Sequence, residues 1–218
     1  MKIIALPDLH GMMPRHLQGF GAVISQADLV LLPGDITNNG NRDNIIQVIT
    51  TISNYCKTLL AVPGNWGFDP IITYLNELNI NLHATHKVID NIIFIGAGGC
   101  LPWVGGNQYS EDDYRKILAE AIEDIPTNMP HILVSHQPPV NTLNDRTSRG
   151  KHVGSYAIRE FIEKHQPLLC FTGHIHEGQG IDTIGATKIV NAGASYKGAY
   201  AWAEIVNGKI TALDIYKI

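Results

Sequence analysis

Short apolar runs alternate along this chain with stretches in which apolar residues recur every three or four positions. That alternation predicts strands and helices in turn. The short runs are residues 2–6, 29–32, 58–62, 131–134 and 168–171, and the second of them, Leu29-Val30-Leu31-Leu32, is apolar throughout. Such a run is expected of a strand covered on both faces, as in a parallel sheet. Leu17, Phe20, Val23 and Ile24 predict a helix over 15–26, and Ile45, Val48, Ile49 and Ile52 predict another after Asn38-Asn39-Gly40. Asp69-Pro70 reads as the N-cap and first position of a third helix carrying Ile71, Ile72, Tyr74, Leu75 and Leu78. Ser110 and Asp113 have the spacing of a capping box ahead of a fourth, whose apolar face runs from Tyr114 to Ile125 before Pro126. Ser155 caps a fifth that uses Ile158, Phe161 and Ile162 and stops before Pro167.

The turns sharpen this picture. Asp90-Asn91 between apolar flanks predicts a hairpin within 88–95. Gly96-Ala97-Gly98-Gly99 is too rich in glycine to continue a strand and lacks the spacing of a dinucleotide-binding turn, so it reads as close packing or a bend. Beyond residue 176 helices give way to β-type runs at 188–191, 199–206 and 209–216, and Asn207-Gly208 signals a hairpin between the last two. Strand–helix alternation followed by antiparallel strands predicts an α/β fold. With no repeat, linker or low-complexity segment, residues 1–218 are expected to form one domain.

Composition narrows the function. A formal charge of −4 disfavours a duplex nucleic-acid partner, which needs clustered Lys and Arg. Cys56, Cys100 and Cys170 are odd in number and far apart, so they read as core thiols rather than a disulfide framework or zinc knuckle. No apolar run approaches the ~20 residues of a membrane span, and the first residues do not resemble a signal peptide. A cytoplasmic protein with no membrane partner is expected. Tyr200 and Trp202 fit either the face of a homo-oligomer interface or packing within a sandwich.

The candidate chemistry lies where the strands end. Asp8 and His10, Asp35, Asn65, His136, and then His174 and His176 each follow a predicted strand directly. Any one of them would pass for a polar turn. All of them at carboxyl ends of strands point to a site, since open α/β sheets bind ligands there. Carboxylate, amide and imidazole together suit Mn, Fe, Co, Zn or Ni better than Ca or Mg, and seven groups exceed the needs of one tetrahedral ion. Two adjacent divalent metal ions bridged by Asp35, with Mn first among the candidates, account for the set.

In order, Asp8-Leu9-His10, Gly34-Asp35, Gly64-Asn65, Ser135-His136 and Gly173-His174-Ile175-His176 resemble the signature of the calcineurin-like metallophosphoesterase superfamily. The resemblance covers residues 8 to 176. It implies a four-layer α/β/β/α sandwich with two mixed sheets. It also implies that Asp8, His10 and His176 hold one metal, that Asn65, His136 and His174 hold the other, and that Asp35 bridges both. Two ions about 3.5–4 Å apart would bind the phosphate oxygens and lower the pKa of a shared water, so hydrolysis of a small-molecule phosphoester is the expected reaction.

One departure bears on the substrate. The family pattern has a histidine and an acid after the asparagine, where this chain has Trp66 and Gly67. Indole has no titratable proton near neutrality. Loss of a general acid typically costs ~100- to 10,000-fold, most for poor leaving groups, so a phosphodiesterase is expected ahead of a phosphomonoesterase or protein phosphatase. A non-catalytic metal-binding scaffold of the same fold is the reading from a different class. His152 is the candidate replacement donor beside Asp35 and His10. Arg146, Arg149 and Lys151, on the long segment 137–153, are candidate phosphate contacts, and Trp66 lines the mouth or stacks on a substrate ring. Tyr196 and Lys197 flank the site or belong to a turn.

Overall fold

The computed structural model describes residues 1–38, 40–66, 68–126 and 129–218, less the side chains of residues 14, 68 and 69. The middle of the Asn38-Asn39-Gly40 turn, Gly67 and the Asp69 side chain therefore lie outside the described residues; the helix expected to start with Asp69 as its N-cap begins at Phe68, so Asp69 lies inside it. Two mixed sheets pack face to face. The first has the order β11-β10-β1-β2-β3, built from β1 (Lys2–Ala5), β2 (Leu29–Pro33), β3 (Leu59–Val62), β10 (Ala199–Val206) and β11 (Lys209–Lys217). The second has the order β4-β5-β6-β7-β9-β8, built from β4 (His86–Ile89), β5 (Ile92–Ala97), β6 (His131–Ser135), β7 (Leu169–Thr172), β8 (Gly180–Ile184) and β9 (Thr187–Asn191). Helices α1 (Pro14–Leu17), α2 (Gly21–Ile24), α3 (Arg42–Ser53) and α4 (Phe68–Glu77) belong to the first half, and α5 (Glu111–Ala121) and α6 (Tyr156–His165) to the second.

The four layers follow from apolar side chains on both faces of the central strands. Val30 and Leu32 point to the helices of the first half with Ile45, Val48, Ile49 and Leu75, whereas Leu29 and Leu31 meet Phe94, Val134 and Phe171 of the other sheet. Ile93, Ile95, Leu133 and Cys170 turn away from that seam onto Tyr114, Leu118, Ile158 and Ile162 of α5 and α6. Three apolar cores therefore separate four layers. Strands β1, β2 and β3 run parallel, as do β5, β6, β7 and β9, so their carboxyl ends collect at one edge of each sheet.

Local signals explain most boundaries. Asp90 and Asn91 both take positive φ, 49° and 60°, in the turn between antiparallel β4 and β5. Asn207 and Gly208 do the same at 50° and 71° before β11. Ser110 and Asp113 form the capping box, and Ser155 Oγ accepts from Ile158 N. The three cysteines are buried free thiols. No helix among the described residues is long and apolar enough to cross a membrane.

Three expectations need correction, and one strand was not foreseen. The helix expected over 15–26 is split into α1, a 3-10 turn at Gln18–Phe20 and α2, because Gly19 and Gly21 are weak helix formers and the Tyr55 ring fills the space a Gly21 side chain would need. The fourth helix ends at Ala121 rather than Ile125, with Asp124 turning the chain at φ 60°. Strand β5 continues through Gly96, whose missing Cβ lets the Leu82 backbone approach. Strand β8 has no periodic pattern to announce it; it is a half-exposed edge held by antiparallel pairing to β9. Tyr200 and Trp202 are half-buried against the first helical layer, Tyr200 edge-on to Phe20 and stacked on Tyr216, so packing accounts for both.

His83 supports the bend after β5. Gly98 N donates to its Nδ1 (3.0 Å), its ring stacks on Tyr109 at 5.3 Å, and burial pushes its pKa down to about 4. Its ordinary value is 6.5. The unfolded chain therefore binds the proton first, and the contribution is complete above pH 6.5 and lost as pH falls towards 4. Its ceiling is about 3 kcal/mol. His83→Gln keeps an acceptor for Gly98 N, so the urea midpoint of the variant is expected to fall less between pH 6.5 and 4 than that of the parent.

Candidate metal centre

The ends of β1, β2 and β7 deliver their polar residues through a backbone conformation that ordinary strand geometry does not supply. Asp8 (φ 54°), His10 (50°), Asp35 (48°) and His174 (67°) all lie in the left-handed region. Non-glycine residues there cost about 1–2 kcal/mol each and persist only where surrounding contacts impose them. Here the contacts are Asp8 N to Gly34 O (3.2 Å) and His10 N to Asp35 O (2.8 Å), which lock the loop after β1 onto the loop after β2. Glycine supplies the close approaches: a Cβ on Gly34 would sit 2.2 Å from His136 Nδ1, and one on Gly64 2.0 Å from Asp35 Oδ1.

Two groups of ligand-type atoms result. Asp8, His10 and His176 form one, and Asp35, His136 and His174 the other, each with its atoms within 4.8 Å of one another. They adjoin: His10 Nε2 is 3.8 Å from Asp35 Oδ2 and 3.9 Å from Asp8 Oδ1, and His176 Nε2 is 3.5 Å from Asp8 Oδ1. Asn65 joins the second group, its Oδ1 2.9 Å from His136 Nε2.

Neighbouring carbonyls decide which atoms face inward. Asn38 Nδ2 donates to His10 O (3.0 Å), so its Oδ1 is the atom facing His10 Nδ1 at 2.5 Å. That ring nitrogen must then be the donor, and Nε2 presents its lone pair to His176 Nε2 at 3.2 Å. His136 Nδ1 likewise donates to Pro33 O (2.9 Å), and Asn65 Nδ2 to Val104 O (2.7 Å). Asn65 Oδ1 and Asp35 Oδ2 therefore converge as acceptors on His136 Nε2, at 2.9 and 3.4 Å. A proton on His136 Nε2 satisfies both oxygens, and a divalent ion would replace it with Nε2 as a third ligand. Asp8 and Asp35 are both buried, and among the described residues their ion-pair partners are histidines, with no Lys or Arg.

The electrostatics report the same demand. Burial opposes charge on both Asp35 and His136. The attraction between them nevertheless holds the carboxyl below its ordinary range and the imidazole above its own, helped by the Trp66 N bond to Asp35 and by Asp8. Burial pushes His174 down to about 4, and the His136 charge adds to it, so its nitrogen is free of a proton at neutral pH. A divalent ion fits the place that the His136 proton holds.

The seven strand-end residues thus come together. Of the other residues named from sequence, Trp66 is half-buried and lines both the central cleft, of about 210 Å³, and an adjoining cavity of about 600 Å³ that Tyr196 also lines. Lys151 lines a cavity of about 460 Å³ on the His174 side. Arg146 and Arg149 are exposed and line neither cavity. His152 also lines neither; its Nδ1 is paired at 2.6 Å with buried Asp145. Sequence reasoning missed the roles of Asn38 and of Trp103, which is 75% exposed at the cleft. The signal for Trp103 is an indole in an otherwise turn-forming Pro-Trp-Val-Gly-Gly stretch. Asn38 offers none, since its bond to His10 spans 28 residues.

Gly11 and Gly34 separate backbone strain from crowding. Both have positive φ, 72° and 88°, but a Cβ on Gly11 meets nothing within 4 Å. Gly11→Ala is expected to lower unfolding free energy by ~1–2 kcal/mol. Gly34→Ala should cost ~1–3 kcal/mol more because the His136 ring must move, as urea unfolding would measure.

Comparison with known proteins agrees with the geometry. The family profile for calcineurin-like phosphoesterases matches residues 1–178. An uncharacterised protein of Methanocaldococcus jannaschii is 38% identical over 199 residues, covering 88% of this chain and 87% of that one. Among solved structures, a Thermus thermophilus protein has a TM-score of 0.75 at 18% identity, covering 99% of this chain and 98% of its own. The phosphopantetheinyl hydrolase of Mycobacterium tuberculosis has a TM-score of 0.61 at 12% identity, covering 88% and 89%. With its paired ligand groups at the strand ends, the chain belongs to the calcineurin-like phosphoesterase family of metal-dependent phosphoester hydrolases.

Proposed function

We propose that this protein is a phosphodiesterase that acts on a small-molecule ester with two divalent ions, Mn foremost. Asp8, His10 and His176 hold the first ion, Asn65, His136 and His174 the second, and Asp35 lies between them. The convergence of Asn65 Oδ1 and Asp35 Oδ2 on His136 Nε2 supports the second ion. Bound ions would supply positive charge for the phosphoryl oxygens and activate water as the nucleophile.

The chain's own part is to fix those ions and to shape the space around the ester. Asn38 holds His10 in the tautomer that offers Nε2, and the Pro33 carbonyl does the same for His136. For a diester, the observation that carries the reading is the pair of cavities flanking the cleft. The cavity of about 600 Å³ shares His10 and His176 with the first ligand group, and the one of about 460 Å³ shares His174 with the second. Each arm of a diester would have a place, whereas a monoester fills one. The exposed Arg146 and Arg149, and His152 paired to Asp145, take no part in this arrangement.

The test is metal-stripped protein given Mn, Fe, Co, Ni, Zn or Mg singly, with a 4-nitrophenyl diester and the matching monoester. Metal-dependent turnover faster on the diester, falling below ~1% in Asp35→Asn, is the expected result. A faster monoester would make the protein a phosphomonoesterase. The tautomer argument has a separate readout. Asn38→Leu should weaken Mn binding by ~10- to 100-fold in a chelator competition, and Asn38→Asp, which keeps the acceptor, should not.

A further inference from the structure

The central cleft contains no general acid outside the ligand groups. Among the described residues, its lining beyond those groups is Trp66, Trp103 and Val104, none of which titrates near neutral pH. Trp103 and Val104 are 75% and 49% exposed, an unusual surface for residues of this size to leave open beside a polar centre. Their loop is built into the site: Asn65 Nδ2 donates to Val104 O (2.7 Å), Gly106 N to Asn65 O (2.9 Å), and Trp103 N to Gln108 Oε1 (3.3 Å). A Cβ on Gly105 would sit 2.2 Å from Asn65 O, so loop and ligand turn are in direct contact. The indole-bearing lip and the Asn65 ligand thus form one rigid piece.

Resting on the phosphodiesterase reading, we propose that the substrate is a diester whose leaving oxygen belongs to a planar conjugated alcohol, a phenol or an enol, with its ring against Trp66 and Trp103. The two halves of the observation demand each other. A cleft whose lining adds no proton donor to the ligand groups favours release of an oxygen stable as an anion, and conjugation provides that stability. The same planar group is what an indole face binds best, by offset or edge-on contact. In the reaction, the oxygen of water bonds to phosphorus and the bond from phosphorus to the aryl or enol oxygen breaks. That oxygen leaves with the electron pair, and the proton lost by water goes to solvent. The products are a phosphomonoester and the free phenol or enol.

The experiment is a series of methyl aryl diesters with leaving phenols from phenol to 4-nitrophenol, together with a methyl benzyl diester, assayed with Mn-loaded protein. The 4-nitrophenyl ester should be turned over at least ~100-fold faster than the phenyl ester, with the benzyl ester near background. Trp66→His, which adds a donor, should compress that ratio below ~10 and bring benzyl turnover into range. Trp66→Phe, which adds none, should leave the series steep. Trp103→Ala should raise KM for aryl diesters about three- to tenfold with kcat little changed. A shallow series in the parent, or benzyl turnover comparable to phenyl, would overturn the proposal, because a donor such as Tyr196, His16 or Lys151 would then be at work. That outcome would leave the phosphodiesterase reading standing. Metal-bound protein that hydrolyses no ester in the series would remove both. Should Trp66→His fail to fold, the parent series decides alone.

Discussion

Two buried oxygens that converge on one imidazole nitrogen lie at the centre of this structure. His136 Nε2, Asn65 Oδ1 and the Asp35 carboxylate converge because the opposite end of each ligand side chain or its neighbour is already engaged, His136 to Pro33 O and Asn65 to Val104 O. Leaving such atoms unsatisfied in a buried place costs several kcal/mol, a cost that the His136 proton offsets and that a divalent ion in its place would offset as well. The left-handed residues at positions 8, 10, 35 and 174 and the crowded Gly34 and Gly64 are the means of bringing those atoms together. The remainder of the fold supplies rigid strands from which such turns can be launched.

Much of this was legible in the sequence, for physical reasons. A strand end leaves its next polar residue near the sheet edge, so Asp8, Asp35, Asn65, His136 and His174 announce themselves without knowledge of the partners. Hairpins at Asp90-Asn91 and Asn207-Gly208 are fixed by residues that tolerate positive φ. The capping box at Ser110 is local as well. Apolar strands with side chains buried on both faces imply layers above and below, as the three cores show.

What escaped depends on long-range contact. Gly21, just after the break at Gln18–Phe20, is kept free of a side chain by the Tyr55 ring, 34 residues away in sequence and invisible to periodicity. Strand β8 exists because β9 offers it a pairing edge. His152 follows the long loop back to buried Asp145, where it is bonded rather than aimed into a cavity.

The seam between the two sheets gives the ions a second consequence. Asp8 and His10 come from the first sheet and His176 from the second; Asp35 comes from the first and His136 and His174 from the second. Each ligand group therefore straddles the seam, and an ion in either one fastens the two halves of the sandwich together. Occupancy adds to folding free energy by mass action, as RT ln(1 + [L]/Kd) for each ion. The centre is a rivet as well as a reagent, and the concentration of free metal becomes a setting for how firmly the two sheets are joined.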